Sequence, residues 1–205
     1  MKELALKRTP LDYESIAGAL VLAWSSDSRF DNAYPISRKA VRLASAQIAI
    51  ESGLSSCWNY NLSGMKTSPN NKSGYSWQYF KTRERFTDAQ LASAKTLGSV
   101  EDKGVIEAGL HSVYLLPKHP WCCFRAFESL DAAMLDHLQT LERKFPRGLA
   151  GLVLGDAAAF AHGLKQDGYY TATEKSYRDG LGWRYAQELK AVPDNLNIVW
   201  GDIPE

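Results

Sequence analysis

The stretch Ser37-Arg-Lys-Ala-Val-Arg-Leu-Ala-Ser-Ala-Gln-Ile-Ala-Ile-Glu-Ser-Gly53 decides how the rest of the chain is read. Ser37 is a good N-cap residue and Gly53 a natural helix stop, so the spacing predicts a helix between them that ends at Glu51. Ala40, Ala44, Ile48 and Glu51 share one face of it, and Leu43, Ala46 and Ile50 cover a second. Both faces read as buried, which leaves a carboxyl group at the end of an almost wholly apolar helix. Desolvation and the negative end of the helix dipole both disfavour the ionised form, so Glu51 should hold its proton toward neutrality, as a general acid must. The alternative is an inert last-turn glutamate, half exposed or paired with Arg42 or Lys66.

Outward from this helix the chain reads as mainly α within an α+β class. Leu11 to Trp24 repeats apolar residues at helical spacing just after Pro10. Ser129 to Lys144, Asp156 to Gln166 and Thr173 to Ala191 do the same. Tyr75 to Phe86 is rich in alternating aromatics after a Ser/Asn/Gly-rich stretch, Thr67 to Gly74, and is the one segment that reads as strand. It predicts a small β-hairpin lobe over about 72–86. Thr87 to Lys95 begins like a capped helix, and Val105, Ile106, Leu110, Val113 and Tyr114 place a second helix within Val100–Leu116. Residues 87–120 are therefore expected to form an inserted helical segment that covers lobe and core.

Ten residues past Glu51 comes Asn61-Leu-Ser-Gly-Met-Lys66. Ala49-Ile-Glu-Ser-Gly53 followed by this segment resembles the glucosaminidase family of peptidoglycan hydrolases, with its A-x-E-S-G helix end and N-L-F-G-I-K-like continuation. Ser63 replaces the usual aromatic, which implies a more open wall of the sugar cleft. Further along, Lys81-Thr-Arg-Glu84 resembles the family's T-x-E strand, and Phe124-Arg-Ala-Phe-Glu-Ser129 its F-R-x-Y-x-S segment. Gly168-Tyr-Tyr-Thr-Ala172 followed by Tyr177 resembles its G-Y-x-T...Y signature. The resemblance spans Ser37 to about Leu189 and implies a lysozyme-like helical body carrying the β-hairpin lobe. No single piece is specific, but their order is.

Composition fits such an enzyme. The 205 residues, 45% hydrophobic and 23% charged, suffice for one sizeable core, and no polar linker divides them, so residues 1–205 read as a single catalytic domain. A net charge of +1 provides no basic field for nucleic acid or an anionic membrane. The N-terminal run has too short an apolar core for a signal peptide, and no segment is long enough to span a bilayer. Synthesis in the cytoplasm, followed by delivery to the periplasm or cell wall through phage or secretion machinery, is the expected localisation. In the secretion case a cognate immunity protein would be a partner. Cys57, Cys122 and Cys123 are odd in number and read as free buried thiols. His111, His119, His137 and His162 read as surface or helix residues, none at zinc-ligand spacing, so neither metal nor other cofactor is expected.

The expected activity is that of an endo-β-N-acetylglucosaminidase, a monomeric glycoside hydrolase cutting the β-1,4 bond between N-acetylglucosamine and N-acetylmuramic acid in peptidoglycan glycan strands. Glu51 is the expected proton donor. Glu84, on the T-x-E match and flanked by Arg83 and Arg85, is the expected second carboxylate, with Asp88 and Glu128 behind it. The substrate's own acetamido oxygen is the alternative second group. The resemblance implies that Tyr170 and Tyr177 lie near the catalytic Glu, with the doublet Tyr169-Tyr170 leaving the first choice ambiguous. Asn61 and Lys66 are expected to shape the cleft floor, or Asn61 to cap a helix. Trp58, Trp77, Trp121 and Trp183 read as core. The competing readings are a lytic transglycosylase or muramidase on the same polymer, and a non-catalytic wall-binding or assembly module.

Overall fold

Ser37 accepts a hydrogen bond from Ala40 N at 3.1 Å, and Gly53 adopts φ 62°, so the decisive stretch forms a helix closed at both ends by the residues expected to close it. The computed structural model describes residues 2–68, 74–194, 196, 200 and 203–204. It divides into two units, Met1–Arg8 with Gly64–Phe127, and Thr9–Ser63 with Glu128–Glu205.

The helical unit holds α1 (Tyr13–Ser26), α2 (Ser28–Ala33), α3 (Arg38–Ser52), α5 (Leu130–Lys144), α6 (Pro146–Val153), α7 (Ala157–Gln166) and α8 (Glu174–Ala191). Side chains from Ala40 to Ala49 are buried without interruption, so α3 is the central helix of this unit. Its alanines let α1, α6 and α8 pack around it. One polar residue on α3 is absorbed by an ion pair. Arg42 bonds to Glu188 on α8, to Asp194 and to the Val192 carbonyl, and its guanidinium lies 4.6 Å from the centre of the Trp200 ring. Glu188 is fully buried, and burial raises its carboxyl against the opposing pull of Arg42. This network ties the chain beyond α8 back to the central helix.

α6 and α7 approach so closely that only glycine fits between them. A Cβ on Gly151 would stand 2.3 Å from Phe160 N, and one on Gly163 would stand 2.4 Å from the Arg147 carbonyl. The carboxylate of Asp167, just past α7, accepts from Arg147 N at 2.8 Å and Gly148 N at 3.3 Å, satisfying donors at the start of α6. The segment after α7 is thereby locked, with Tyr169 N bonded to Leu164 O at 2.9 Å.

Among the described residues the other unit contains two antiparallel sheets. β1 (Ser76–Tyr79) pairs with β5 (Cys123–Ala126), and β2 (Thr82–Phe86), β4 (His111–Leu115) and β3 (Val100–Val105) form a sheet in the order β2-β4-β3. α4 (Asp88–Leu97) carries a full capping box between Thr87 and Gln90. The core is Phe86, Leu91, Ala94, Val113, Leu115, Cys122 and Phe124, with the Phe80 and Phe124 rings stacked at 4.2 Å.

The structure corrects the reading of this region. β1 and β2 are consecutive but are not partners, so no hairpin forms between them, and each pairs with a strand from beyond Phe86. The expected insertion is one α-helix plus the β3–β4 pair, and Val100–Leu116 forms no α-helix, only a 3-10 turn at Glu107–Gly109 between the two strands. Its apolar spacing fitted a helix, but Gly104 at φ 94°, Ala108 at φ 57° and Gly109 at φ 70° turn the chain between two extended segments. The pairs Val113–Glu84 and Leu115–Thr82 then place Val113 and Leu115 on the core face. Residues 72 and 73 of the expected lobe, and most of the Thr67–Gly74 stretch, lie outside the described residues.

Candidate active site

Glu51 occupies the last turn of α3, and the unbroken apolar packing of that helix removes its carboxyl from most of the solvent. Burial pushes the carboxyl up to about 7, opposed by a hydrogen bond in which Tyr177 Oη donates to Glu51 Oε1 at 3.1 Å. Arg42, one of the cations that could have neutralised Glu51, is bonded to Glu188 and Asp194 instead. A carboxyl raised this far that carries a neutral donor on one oxygen can deliver a proton from the other.

Tyr177 lies on the inner face of α8, whose first turn is set by Thr173 accepting from Ser176 N at 3.2 Å. Burial raises the Tyr177 hydroxyl strongly, and the charge of Glu51 raises it further, so it stays a neutral donor. The Tyr170 ring stacks on Tyr177 at 4.0 Å and 6°, and its hydroxyl donates to Ala161 O at 2.9 Å. Lys165 Nζ gathers the carbonyls of Tyr170, Thr171 and Ala172 at 3.4, 3.2 and 2.8 Å, holding the turn into α8. The adjacent Tyr169 is the more buried of the doublet. Burial raises its hydroxyl well above the usual range, and the Glu51 charge adds to this. Its ring meets Phe145 edge-on at 4.8 Å and Tyr177 at 6.5 Å. Tyr170 therefore packs face to face on Tyr177, and Tyr169 meets Tyr177 edge-on from the side of Phe145.

Gln47 is the residue beside Glu51 that sequence reasoning missed. Gln47 is fully buried one helical turn before Glu51 on the same side of α3. The available signal was a glutamine one turn ahead of a buried acid inside an alanine-rich helix, where a polar side chain has no reason to be unless something meets it.

The loop after Glu51 holds an unusual backbone. Leu54, Asn59 and Tyr60 have φ of 53°, 42° and 49°, values that non-glycine residues rarely adopt. The segment at Thr9 supports this loop, with Thr9 N bonded to Cys57 O and Tyr60 N bonded to Thr9 Oγ1, both at 3.0 Å. Asn61 is buried within it and donates its backbone N–H to Trp58 O at 3.0 Å. No helix starts after Asn61 among the described residues before α4, so it is not a helix N-cap.

Glu84 and Lys66 belong to the other unit, where Lys66 Nζ stands 3.6 Å from Glu84 Oε1. Lys66 is held beside β5 by a bridge to Phe124. Alternation along β2 puts Glu84 on the face of Thr82 and Phe86, while Arg83 and Arg85 turn to the opposite, exposed face. Arg83 there donates to Ser112 Oγ at 3.2 Å. The expected arginine neighbours are thus replaced by Lys66. Asp88 is exposed and bonded to His111 Nε2 at 2.8 Å, and Glu128 is exposed ahead of the N-cap Ser129.

Cys57, Cys122 and Cys123 are free and buried. His119 is buried rather than superficial and lies outside any α-helix, with Nε2 bonded to Ala94 O at 3.0 Å and Nδ1 accepting from Trp121 N. Trp183 is not core: it is 57% exposed on α8, with the Arg184 guanidinium 4.7 Å from its ring centre. No helix among the described residues is long and apolar enough to cross a membrane.

No family model and no curated protein matches the sequence. Among solved structures, the peptidoglycan hydrolase from Sphingomonas sp. A1 is 19% identical, with 89% of this chain and 94% of that chain covered at a TM-score of 0.50. The glycoside hydrolase domain of Salmonella typhimurium FlgJ is 20% identical, with 92% and 93% covered at a TM-score of 0.49. The chain has the fold of the Sphingomonas hydrolase, a mainly helical α+β fold with small antiparallel sheets.

Proposed function

We propose that the chain is a glycoside hydrolase acting on peptidoglycan, an endo-β-N-acetylglucosaminidase that cuts on the reducing side of N-acetylglucosamine. The observation that carries this reading is the Glu51 carboxyl, buried at the end of α3, raised to about 7 and held by Tyr177 on one oxygen. The fold shared with a peptidoglycan hydrolase supports the choice of polymer.

In the proposed reaction Glu51 protonates the glycosidic oxygen as the bond to the anomeric carbon breaks. Burial makes the proton available near neutrality, and Tyr177 stabilises the carboxylate that remains. Glu84, beside Lys66, is the proposed partner for the oxocarbenium ion or the attacking water, with the substrate's acetamido oxygen as the alternative. Tyr170 and Tyr177 offer stacked rings to the sugar, while Asn61 and Lys66 contribute polar floor groups. Peptidoglycan strands are the proposed partner of a monomer, met in the periplasm or cell wall. Delivery as a phage lysis enzyme, or as a secreted toxin with an immunity protein, belongs to the same proposal.

Glu51→Gln tests the reading, because it keeps the shape and removes the carboxylic proton. Release of soluble muropeptides from purified peptidoglycan should fall by about a hundredfold to ten-thousandfold with unchanged circular dichroism. Wild-type release by the variant would overturn the assignment.

A further inference from the structure

The net charge of +1 conceals an uneven division of the ionised residues. The unit of Met1–Arg8 and Gly64–Phe127 holds twelve Lys and Arg against six Asp and Glu, whereas the helical unit holds twelve against seventeen. Each unit therefore has a field of its own, and that of the sheet unit is basic.

Strand pairing gathers much of this excess on one surface. In the sheet β2-β4-β3, Arg83 stands opposite Tyr114 and Tyr114 opposite Glu101, while Arg85 stands opposite Ser112. These side chains share the face turned away from the core of Phe86, Val113 and Leu115. Lys81 joins them, with Nζ 4.5 Å from the centre of the Tyr114 ring and 3.0 Å from Glu101 Oε2. Lys103 Nζ reaches the same oxygen at 3.2 Å. Glu101 thus already serves two lysines. Arg83 donates to the Ser112 hydroxyl at 3.2 Å, and among the described residues neither Arg83 nor Arg85, both exposed, is ion-paired. Two residues apart on one strand, they hold like charges about 7 Å from each other, an arrangement that an anion relieves.

We propose that this face is a docking surface for the carboxylate-bearing peptide stems of peptidoglycan, separate from the groups that cut the glycan. The identity of the polymer rests on the reading of the chain as a peptidoglycan hydrolase; the charge of the face does not. Each stem ends in a free carboxylate, so the polymer presents repeated anions along a glycan without charge of its own. The fork of a guanidinium meets a carboxylate through two parallel hydrogen bonds, which suits Arg83 and Arg85 to the stems. Capture here holds the enzyme on an insoluble substrate between cuts, and it weakens with salt because the charges are exposed.

Sedimentation with insoluble sacculi tests the proposal, with Glu51→Gln as the parent protein so that the polymer stays intact. The sacculi are acid-extracted to remove phosphodiester polymers. Retention of the parent should fall with added salt, weaken about tenfold with Arg83→Gln/Arg85→Gln, and largely recover with Arg83→Lys/Arg85→Lys. Sacculi stripped of stems by an N-acetylmuramoyl-L-alanine amidase should hold the parent and the glutamine variant equally. Equal retention of those two proteins on intact sacculi would overturn the proposal, as would undiminished retention of the parent on stripped glycan. Retention confined to unextracted sacculi would also overturn it and assign the face to a phosphodiester polymer. Circular dichroism checks folding, and if the glutamine variant misfolds, the salt dependence and the stripped sacculi decide alone. Muropeptide release by the wild-type protein is read separately. Release with arginine-independent retention sinks the docking face alone, and arginine-dependent retention without release sinks the hydrolase reading alone.

Discussion

Tyr177 Oη donates to Glu51 Oε1 at 3.1 Å across 126 residues of sequence, joining the end of α3 to the first turns of α8. Burial raises the carboxyl and this hydrogen bond limits the rise, so the pair sets where Glu51 gives up its proton. Tyr177→Phe should move the Glu51 midpoint upward and lower kcat/KM by roughly tenfold to a hundredfold, the loss of one hydrogen bond to a charged group. The pH–rate profile and the Glu51 titration check both parts.

Stability should carry the same signature. The folded-state value of Glu51 lies above the unfolded one, about 7 against 4.5, so the folded state binds the proton more tightly. Its contribution is therefore complete below about pH 4.5 and is lost as pH rises through about 7. Glu51→Gln should be more stable than wild type at pH 8 by roughly 1–3 kcal/mol and close to it at pH 4. Urea unfolding at the two pH values measures this. A smaller slope should persist in the variant, because burial also raises Glu188.

The close pairing of α6 and α7 makes an opposed pair of glycine substitutions informative. Gly151→Ala must push a methyl group into the backbone at Phe160, at a cost of about 3 kcal/mol or more. Gly182, inside α8, has nothing within 4 Å of an added Cβ. Gly182→Ala should stabilise by about 0.5–1 kcal/mol through helix propensity. Thermal or chaotrope melts of the two variants should move in opposite directions.

In the other unit, His111 bonds to Asp102 through Nδ1 at 3.1 Å and to Asp88 through Nε2 at 2.8 Å, linking β4 to β3 and to α4. Asp102 first, then Asp88, raise the imidazole above its ordinary 6.5. The clamp is complete below about pH 6.5 and weakens as pH rises through the higher folded value. Amide exchange in β3 and β4 should therefore speed up more steeply with pH in wild type than in His111→Gln, after correction for intrinsic rates. Equal pH dependence in the two proteins would remove the clamp.

The central helix was legible because its signals are local: Ser37 and Gly53 close it, and its apolar faces predict the burial found. Glu51 stood out for the same reason. Residues 100–116 were misread because a short apolar run can satisfy helical spacing by chance, and only its glycines marked the turn. The partners of β1 and β2 could not be read, since pairing depends on residues far along the chain. The doublet at 169–170 was ambiguous for a related reason. Adjacent side chains point apart, and only the packing of Phe145 and α8 decides which tyrosine hydroxyl is enclosed. Arg42 looked like a possible partner for Glu51, and its true partners, Glu188 and Asp194, lie 146 and 152 residues away.

The nature of the new chain ends in digested peptidoglycan tests the central claim most directly. Purified protein should be incubated with peptidoglycan, and the fragments reduced with borohydride and identified by mass spectrometry, with Glu51→Gln in parallel. Reduced N-acetylglucosamine at the fragment ends, formed by wild type and not by Glu51→Gln, is the predicted result. Reduced muramic ends would make it a muramidase and anhydro-muramic ends a transglycosylase. No soluble fragments from the wild-type protein would contradict catalysis itself and leave a wall-binding module.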